Sequence, residues 1–472
     1  MRKIAFLSAC ALTLAGCAAG PDYRAPAALP TTDTGPFIST APGTSNAEPQ
    51  GDWWRLYNDP ALDRLVTRAL VANTDLRVAA ANLARAQAIL REAGAGRLPS
   101  TDLSGGASYG DGSGGGFSQG SGNTQWSYTG GMAISWEIDL FGRIGRTIEA
   151  ARADRDAVAA AHERVAVVVA AQTTRAYADA CALAEASAVA RESIDIARRG
   201  LDIVTAQERV GTASRFDLER ASTAYANARA ALPPLEGARQ IALFELAALL
   251  GLPPAQVPEE ARQCTRIPVP VSAIPVGDGR GLLARRPDVR EAERRLAADT
   301  ARIGVATADL YPRIALGGSG NFFRNDQVKG SDSFSFSLGP LLSWSFPNIA
   351  TARARIAQAE AGTQASLATF DGTVLNALKE VEQALASVAS EDRRRAALAD
   401  AVRSADAAYD LANRRYRAGA MSFLDLLDAQ RSLVEARAAL TASERALGSA
   451  RIDLFRALGG GWQTLPPARA GA

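Results

Sequence analysis

Apolar and polar residues alternate one for one along residues 126–140. Trp126, Tyr128, Met132, Ile134, Trp136, Ile138 and Leu140 hold even positions, with Gln125, Ser127, Thr129, Ser135, Glu137 and Asp139 between them. A period of two over this length predicts a β-strand with one apolar and one wet face. The pattern returns as Phe334, Phe336, Leu338, Leu342, Trp344 and Phe346 against Ser333, Ser335, Ser337, Ser343 and Ser345. A weaker partner precedes each strand, through Leu103, Ala107 and Tyr109 in one case and Ile314, Leu316 and Phe322 in the other. Polar, glycine-rich connectors join each pair, so the chain carries two β-hairpins, 101–141 and 313–346.

Elsewhere the period is that of a helix. Amphipathic helices are expected over roughly 60–96 and 287–310, with start signals in Asp59-Pro60 and Arg286-Pro287-Asp288, and with Pro99 and Pro312 closing them. Behind each hairpin runs a helical pattern free of proline, from about 143 to 210 and from about 350 to 418, each reaching about 100 Å at 1.5 Å per residue. Gly211 and Gly419 suit the left-handed residue after a helix end, and new helices are expected from Ser214 and Ser422. The last helix carries Leu426, Leu433, Leu440, Leu447 and Leu454 at intervals of seven, with Ala429, Ala436, Ser443 and Ala450 three residues behind the first four. That is a heptad seam with room for a close partner. Leu218, Tyr225 and Leu232 keep the same phase until Pro233-Pro234, where the pattern predicts a break.

These elements come twice. Ser135-Trp136 returns 208 positions later as Ser343-Trp344, and Gly211, Ser214, Asp217 and Leu218 return at the same spacing as Gly419, Ser422, Asp425 and Leu426. Asp75, Arg77 and Leu98-Pro99 return 213 positions later as Asp288, Arg290 and Tyr311-Pro312. Ordered matches of this kind mark a tandem duplication. The first repeat is 61–265 (helix, hairpin 101–141, long helix pair 143–251). The second is 266–459 (helix, hairpin 313–346, long helix pair 350–458), and 460–472 is a C-terminal tail.

Strands of about ten residues, aromatic near both ends of the apolar face and serine-rich on the other, match the wall of a transmembrane barrel. A soluble antiparallel sheet packed on a core is the alternative. After residue 17 no run of 18 apolar residues exists, so any membrane crossing must use strands. Four strands cannot close on themselves, and an open edge in hydrocarbon leaves backbone groups unpaired. The fold expected is an α+β membrane protein whose tandem-duplicated chain contributes four strands to an oligomeric transmembrane β-barrel, with long coiled-coil helices beside it.

The amino terminus fits that destination. Arg2 and Lys3, an apolar run from Ile4 to Leu14, and Ala15-Gly16 form a signal peptide over 1–16. Leu14-Ala15-Gly16-Cys17 resembles the bacterial lipobox, in which Cys17 is acylated and opens the mature chain; 17–60 is then an acylated N-terminal segment. Ala18 resembles the sorting pattern for the outer membrane. Cys10 leaves with the signal. Cys181 and Cys264 stand in an oxidising compartment either as one disulfide or as buried thiols.

Composition narrows the chemistry. The 472 residues hold 52 Lys+Arg against 50 Asp+Glu, a formal charge of +2, which argues against a nucleic-acid partner. An apolar share of 47% excludes a disordered chain. His162 is the one histidine, and no P-loop, dinucleotide fingerprint, CxxC, HExxH or GxSxG motif occurs. No catalytic, cofactor or metal residues are therefore assigned, and function must come from shape.

Several segments then carry a resemblance over essentially the whole mature chain. The lipobox, GPDY (Gly20 to Tyr23), the Trp53-Trp54 pair, SWEIDLFGR (Ser135 to Arg143), RRPDVR (Arg285 to Arg290), LSW (Leu342 to Trp344) and SFLDLLDAQRSL (Ser422 to Leu433) resemble the outer-membrane efflux lipoproteins of the TolC type. The resemblance implies a homotrimer that closes a 12-stranded barrel, with the long helices forming a hollow periplasmic α-helical barrel. It implies two partners, a periplasmic adaptor and an inner-membrane transporter, and a passive exit duct for small toxic compounds or drugs. It also implies a periplasmic gate at the helical tips, whose matching positions are Asp217, Tyr416, Asp425 and Asp428. Symmetry-repeated carboxylates around a narrow axis make a strong local field. Ser214/Asp217 and Ser422/Asp425 equally have the spacing of a capping box, which stabilises a helix start anywhere. Arg209, Arg215, Arg414, Arg415 and Arg417 stand either as a latch between tips or as solvated surface. Two rival functions are a duct for type I protein secretion and a non-conducting, lipid-anchored periplasmic scaffold; the scaffold leaves the alternating aromatic rows without a purpose.

Overall fold

The computed structural model describes residues 19–26, 35–49, 51–111, 124–346 and 349–460. The signal peptide, Cys17 and Ala18 lie outside the described residues, as do most of the first hairpin's connector and all of the tail but residue 460. The main strands are β1 (Ser100–Asp111), β2 (Thr124–Ile138), β3 (Arg313–Arg324) and β4 (Phe334–Ser343), beside a short parallel pair, Thr44–Ser45 with Ile274–Pro275. The main helices are α1 (Pro60–Ala72), α2 (Thr74–Ala95), α3 (Arg143–Arg209), α4 (Arg215–Leu249), α5 (Pro287–Ala308), α6 (Ile349–Arg417) and α7 (Phe423–Ala457). Both hairpins and both long helix pairs form where the periodicity puts them. Leu140, Trp344 and Phe346 fall just beyond the strand ends.

The two repeats correspond element by element. β3 follows β1 by 213 positions at both ends, whereas α7 follows α4 by 208 at both ends. The spacing changes within the hairpins, so the first copy's hairpin is the longer. Trp136 and Trp344 show the correspondence at the level of single bonds. Trp136 Nε1 donates to the carbonyl of Arg97 at 3.0 Å and Trp344 Nε1 to that of Leu310 at 3.2 Å, each tying a strand end to the turn before the proline.

Two expectations need correction. The helix expected over 60–96 is broken at Asn73, which is extended (φ −60°, ψ 135°). Its side-chain oxygen caps α2 by accepting from Asp75 N and Leu76 N, and its Nδ2 donates to the carbonyl of Leu249 at the end of α4. The second repeat does the same 213 positions on. A short helix, Gly279–Arg285, stops at the extended Arg286, whose Nη1 donates to the carbonyl of Ala457 at the end of α7. In both repeats the break exists because its side chain satisfies the last carbonyls of a long helix. The second correction is that α4 runs straight through Pro233 and Pro234. Those prolines and the residues whose carbonyls they leave unbonded, Arg229 and Ala230, are exposed, so water can replace the lost bonds.

Contacts divide the described residues into two compact units, each drawn from both repeats. The first takes Met1–Ala27, Ala84–Val158 and Ala292–Phe370 and contains all of β1–β4. In it the GPDY segment is clamped. Arg146, 6% exposed, donates to the carbonyls of Ala19 and Gly20 and pairs with Asp22, while Tyr23 OH donates to Glu293 at 2.6 Å. Gly20, in the left-handed region at φ 86°, lies flush on Gly304: a Cβ there would fall 2.4 Å from Gly304 Cα.

The second unit takes Ala28–Leu83, Ala159–Glu291 and Asp371–Ala472 and holds the main core. Leu62, Leu65 and Val66 of α1 pack there with Val169 and Tyr177 of α3, Leu246 of α4, Leu385 of α6 and Leu454 and Phe455 of α7. Trp53 of the paired tryptophans stacks on Phe455 with ring centres 4.5 Å apart. Each of these buried large side chains contributes roughly 1.5–3 kcal/mol. Of the two readings of the cysteines, the disulfide holds: Cys181 and Cys264 are bonded, with Cα atoms 5.1 Å apart across 83 residues of sequence.

Candidate duct wall and gate

The sheet is an antiparallel meander in the order β1-β2-β3-β4. Its register decides which residues share a face, because partners opposite each other point the same way. One set of rows reads Leu103, Met132, Gly320, Phe336 and Thr101, Ile134, Gly318, Leu338; the rows between read Ser104, Gly131, Asn321, Ser335 and Asp102, Ala133, Ser319, Ser337. All four strands thus put their apolar side chains on one face and their small polar ones on the other. Among the described residues nothing covers the apolar face: Leu103 is 86% exposed and Phe336 90%. Leu341 and Phe323 are exceptions on the polar face: Phe323 stands opposite Thr129, and Leu341 lies over Gly317, where a Cβ would come 2.4 Å from its Cδ1.

Aromatic rings gather toward both ends of the apolar face. Tyr109 meets Trp126 and Phe322 meets Phe334 near one end, and Trp136 stands near the other. On the polar face hydroxyls pair across strands, Ser108 with Ser127 at 2.8 Å and Ser319 with Ser337 at 2.9 Å. Such hydroxyls suit a wetted face.

The helix hairpins α3–α4 and α6–α7 turn by the same device. Gly211 (φ 77°) and Gly419 (φ 71°) occupy the left-handed position, and Thr212 N and Ala420 N reach back to the carbonyls of Gln207 and Arg415. These are Schellman ends, which satisfy two otherwise orphaned carbonyls per helix. Ser214 and Ser422 then cap α4 and α7, accepting from Asp217 N at 3.1 Å and Asp425 N at 3.2 Å. The reciprocal bond from the cap backbone is present to Asp217, and both carboxylates also accept from the cap hydroxyls. The capping box is complete at Ser214 and Asp217, whereas at Ser422 and Asp425 the cap forms without the reciprocal backbone bond. Both carboxylates stand at the tip.

Tyr416, 9% exposed, lies in a small tip core with Val204, Ala221, Ala412, Phe423 and Leu426. Its hydroxyl donates to Gln207 Oε1, joining α6 to α3, and its ring meets that of Phe423 at 5.8 Å. Burial raises its phenol above the usual range, and the Asp217 charge adds to this. Gln207 gave no signal in the sequence, since an isolated Gln on a long helix has none to give. Asp428 is exposed one turn beyond the cap. Arg215 pairs at 2.7 Å with Glu219 on its own helix; Arg209, Arg414, Arg415 and Arg417 are exposed and have no carboxylate partner among the described residues.

Among the described residues, no group of His, Cys, Asp and Glu has metal-binding geometry, and no helix is long and apolar enough to cross a membrane.

The likeness to known proteins runs the length of the chain. The outer membrane efflux protein family matches it over residues 65–252 and 280–460. The pyoverdine export outer membrane protein OpmQ of Pseudomonas aeruginosa is 31% identical, the match covering 98% of each chain. The toluene efflux pump outer membrane protein TtgC of Pseudomonas putida is 28% identical over 98% of this chain and 96% of its own. Among solved structures, the outer-membrane channel OprN superposes with a TM-score of 0.87 at 33% identity, covering 95% of this chain and all of that one. With the two-faced sheet and paired helix hairpins already described, these likenesses show that the chain belongs to the outer membrane efflux protein family and is an outer-membrane exit duct with a large periplasmic helical portion.

Proposed function

We propose that three copies pool β1–β4 into a closed 12-stranded barrel, apolar face to lipid and polar face to a shared lumen. The observation that carries this is the sheet itself. It is apolar on one face and leaves β1 and β4 as open edges, a combination that hydrocarbon tolerates only when other copies pair those edges. The long helix pairs of three copies would line a periplasmic cylinder. A periplasmic adaptor and an inner-membrane transporter are its partners; they select and energise the cargo. The duct conducts passively, making and breaking no bond. Its cargo is a small organic compound, the class to which the pyoverdine and toluene of the relatives' names belong. Acylation of Cys17 anchors the chain in the outer membrane.

The gate of this reading is the tip. Asp217, Asp425 and Asp428, repeated by threefold symmetry, ring the opening with negative charge, and Tyr416 holds the tip core together through Gln207. The unpaired Arg209, Arg414, Arg415 and Arg417 latch one tip to the carboxylates of the next, with Arg215 released from Glu219 to join them. Planar-bilayer recording of the assembled protein tests this. Discrete conductance is expected, raised by Asp425→Asn with Asp428→Asn. A correctly assembled protein that never conducts rules out the duct, and unchanged conductance in the double variant rules out the gate.

A further inference from the structure

The charges on the polar face of the sheet can be accounted for one by one. Its strand positions carry three: Asp102 on β1, Glu137 on β2 and Arg313 on β3. Glu137 receives both Nε and Nη2 of Arg143, at 3.0 and 2.6 Å. Arg313 donates to Asp309 at 2.8 Å, and Asp309 also meets Arg355 at 3.4 Å. The nearby Asp139 is engaged at the start of α3, accepting from Ile144 N at 2.9 Å and Gly145 N at 2.7 Å. Asp102 is left over. It is exposed, has no hydrogen-bond or ion-pair partner among the described residues, and stands between Ser100 and Ser104 and opposite Ala133.

We infer that Asp102 is the charge-selecting residue of the barrel lumen, favouring cationic over anionic solutes. The inference rests on the duct reading, in which the polar face lines the lumen and symmetry turns one residue into a ring of three. A wall of serine and glycine screens such a ring poorly, and its field reaches about a Debye length, ~10 Å at 0.1 M salt and ~3 Å at 1 M. Rings of carboxylates select cations by this field. The neutralised pairs Glu137–Arg143 and Arg313–Asp309 contribute little beyond contact distance.

Reversal potentials in asymmetric KCl test it, recorded on the Asp425→Asn/Asp428→Asn background so that the tip charges do not dominate. The background should prefer potassium at 0.1 M. Adding Asp102→Asn should lower the cation-to-anion permeability ratio about two- to threefold, with no effect left at 1 M. Glu137→Gln combined with Arg143→Gln, which removes a neutral pair and leaves the net charge as it was, serves as the comparison and should move the ratio less. A permeability ratio that does not respond to Asp102→Asn, or that follows the Glu137→Gln/Arg143→Gln variant instead, overturns the inference and leaves the duct standing. Assembled protein without conductance overturns the duct reading, and the inference with it.

Discussion

At the residue scale, the junction at Arg286 shows how a motif readable in sequence obtains its physical meaning only from its partners. Arg286 is 7% exposed, donates to the carbonyl of Ala457, and pairs with Asp288 at 2.6 Å and Glu380 at 2.8 Å. Its neighbour Arg285 donates to the carbonyl of Leu458 and pairs with Glu48. Burial works to raise the Asp288 carboxyl, but the hydrogen bonds and charge of Arg286 outweigh it and hold the group below the usual range. A depressed carboxylate adds stability above its unfolded pKa of about 3.9, and that stability is lost as pH falls through the lower folded value. Thermal melts of the assembled protein should therefore fall on the acid side, and Asp288→Asn should flatten that fall. Equal acid slopes in the two proteins contradict it. Arg286→Ala, which strands two carboxylates and a helix-end carbonyl, should cost about 3 kcal/mol. The equivalent Asn73 was not legible as a break in the helix over 60–96, since its bond to Leu249 depends on a contact 176 residues away.

At the scale of elements, period carried most of the information. Strands with one buried face must alternate, and helices facing one core must repeat near 3.6, so β2, β4, α3 and α6 were visible from composition by position. What period cannot show is a break that keeps the same phase, as at Asn73, or a proline pair tolerated because its site is wet, as in α4. The disulfide was legible as two cysteines and no more. It ties Cys181, fully buried in α3, to the segment after the short helix Glu259–Arg262, where Arg239 also donates to the carbonyls of Arg262 and Cys264. Closing a loop of 83 residues restricts the unfolded chain by about 4–5 kcal/mol in the loop-entropy description. The Cys181→Ala/Cys264→Ala variant should accordingly melt lower than the oxidised protein while keeping its conductance, and reductant should lower the melting of the parent but not of the variant. A parent indifferent to reductant contradicts this.

At the scale of the molecule, the duplication explains why a single chain looks unfinished. Two copies of a unit bring two hairpins, and β2 of the first pairs with β3 of the second to make one sheet, but four strands leave two edges and one exposed apolar face. The tip repeats the lesson, since residues needed for capping and residues proposed for gating are the same carboxylates. Sequence spacing alone could not separate those roles; the geometry shows the capping, and the gating is the proposal. The most direct test of the central claim places a lipid-sensitive reporter on the two faces. With Cys181 and Cys264 already paired, single cysteines can be introduced at Ile134 and Ser135 and at Phe336 and Ser335, labelled with a fluorophore, and the protein reconstituted with brominated lipids. Labels at 134 and 336 should be strongly quenched and those at 135 and 335 spared; equal quenching on both faces would contradict a barrel wall between lipid and lumen.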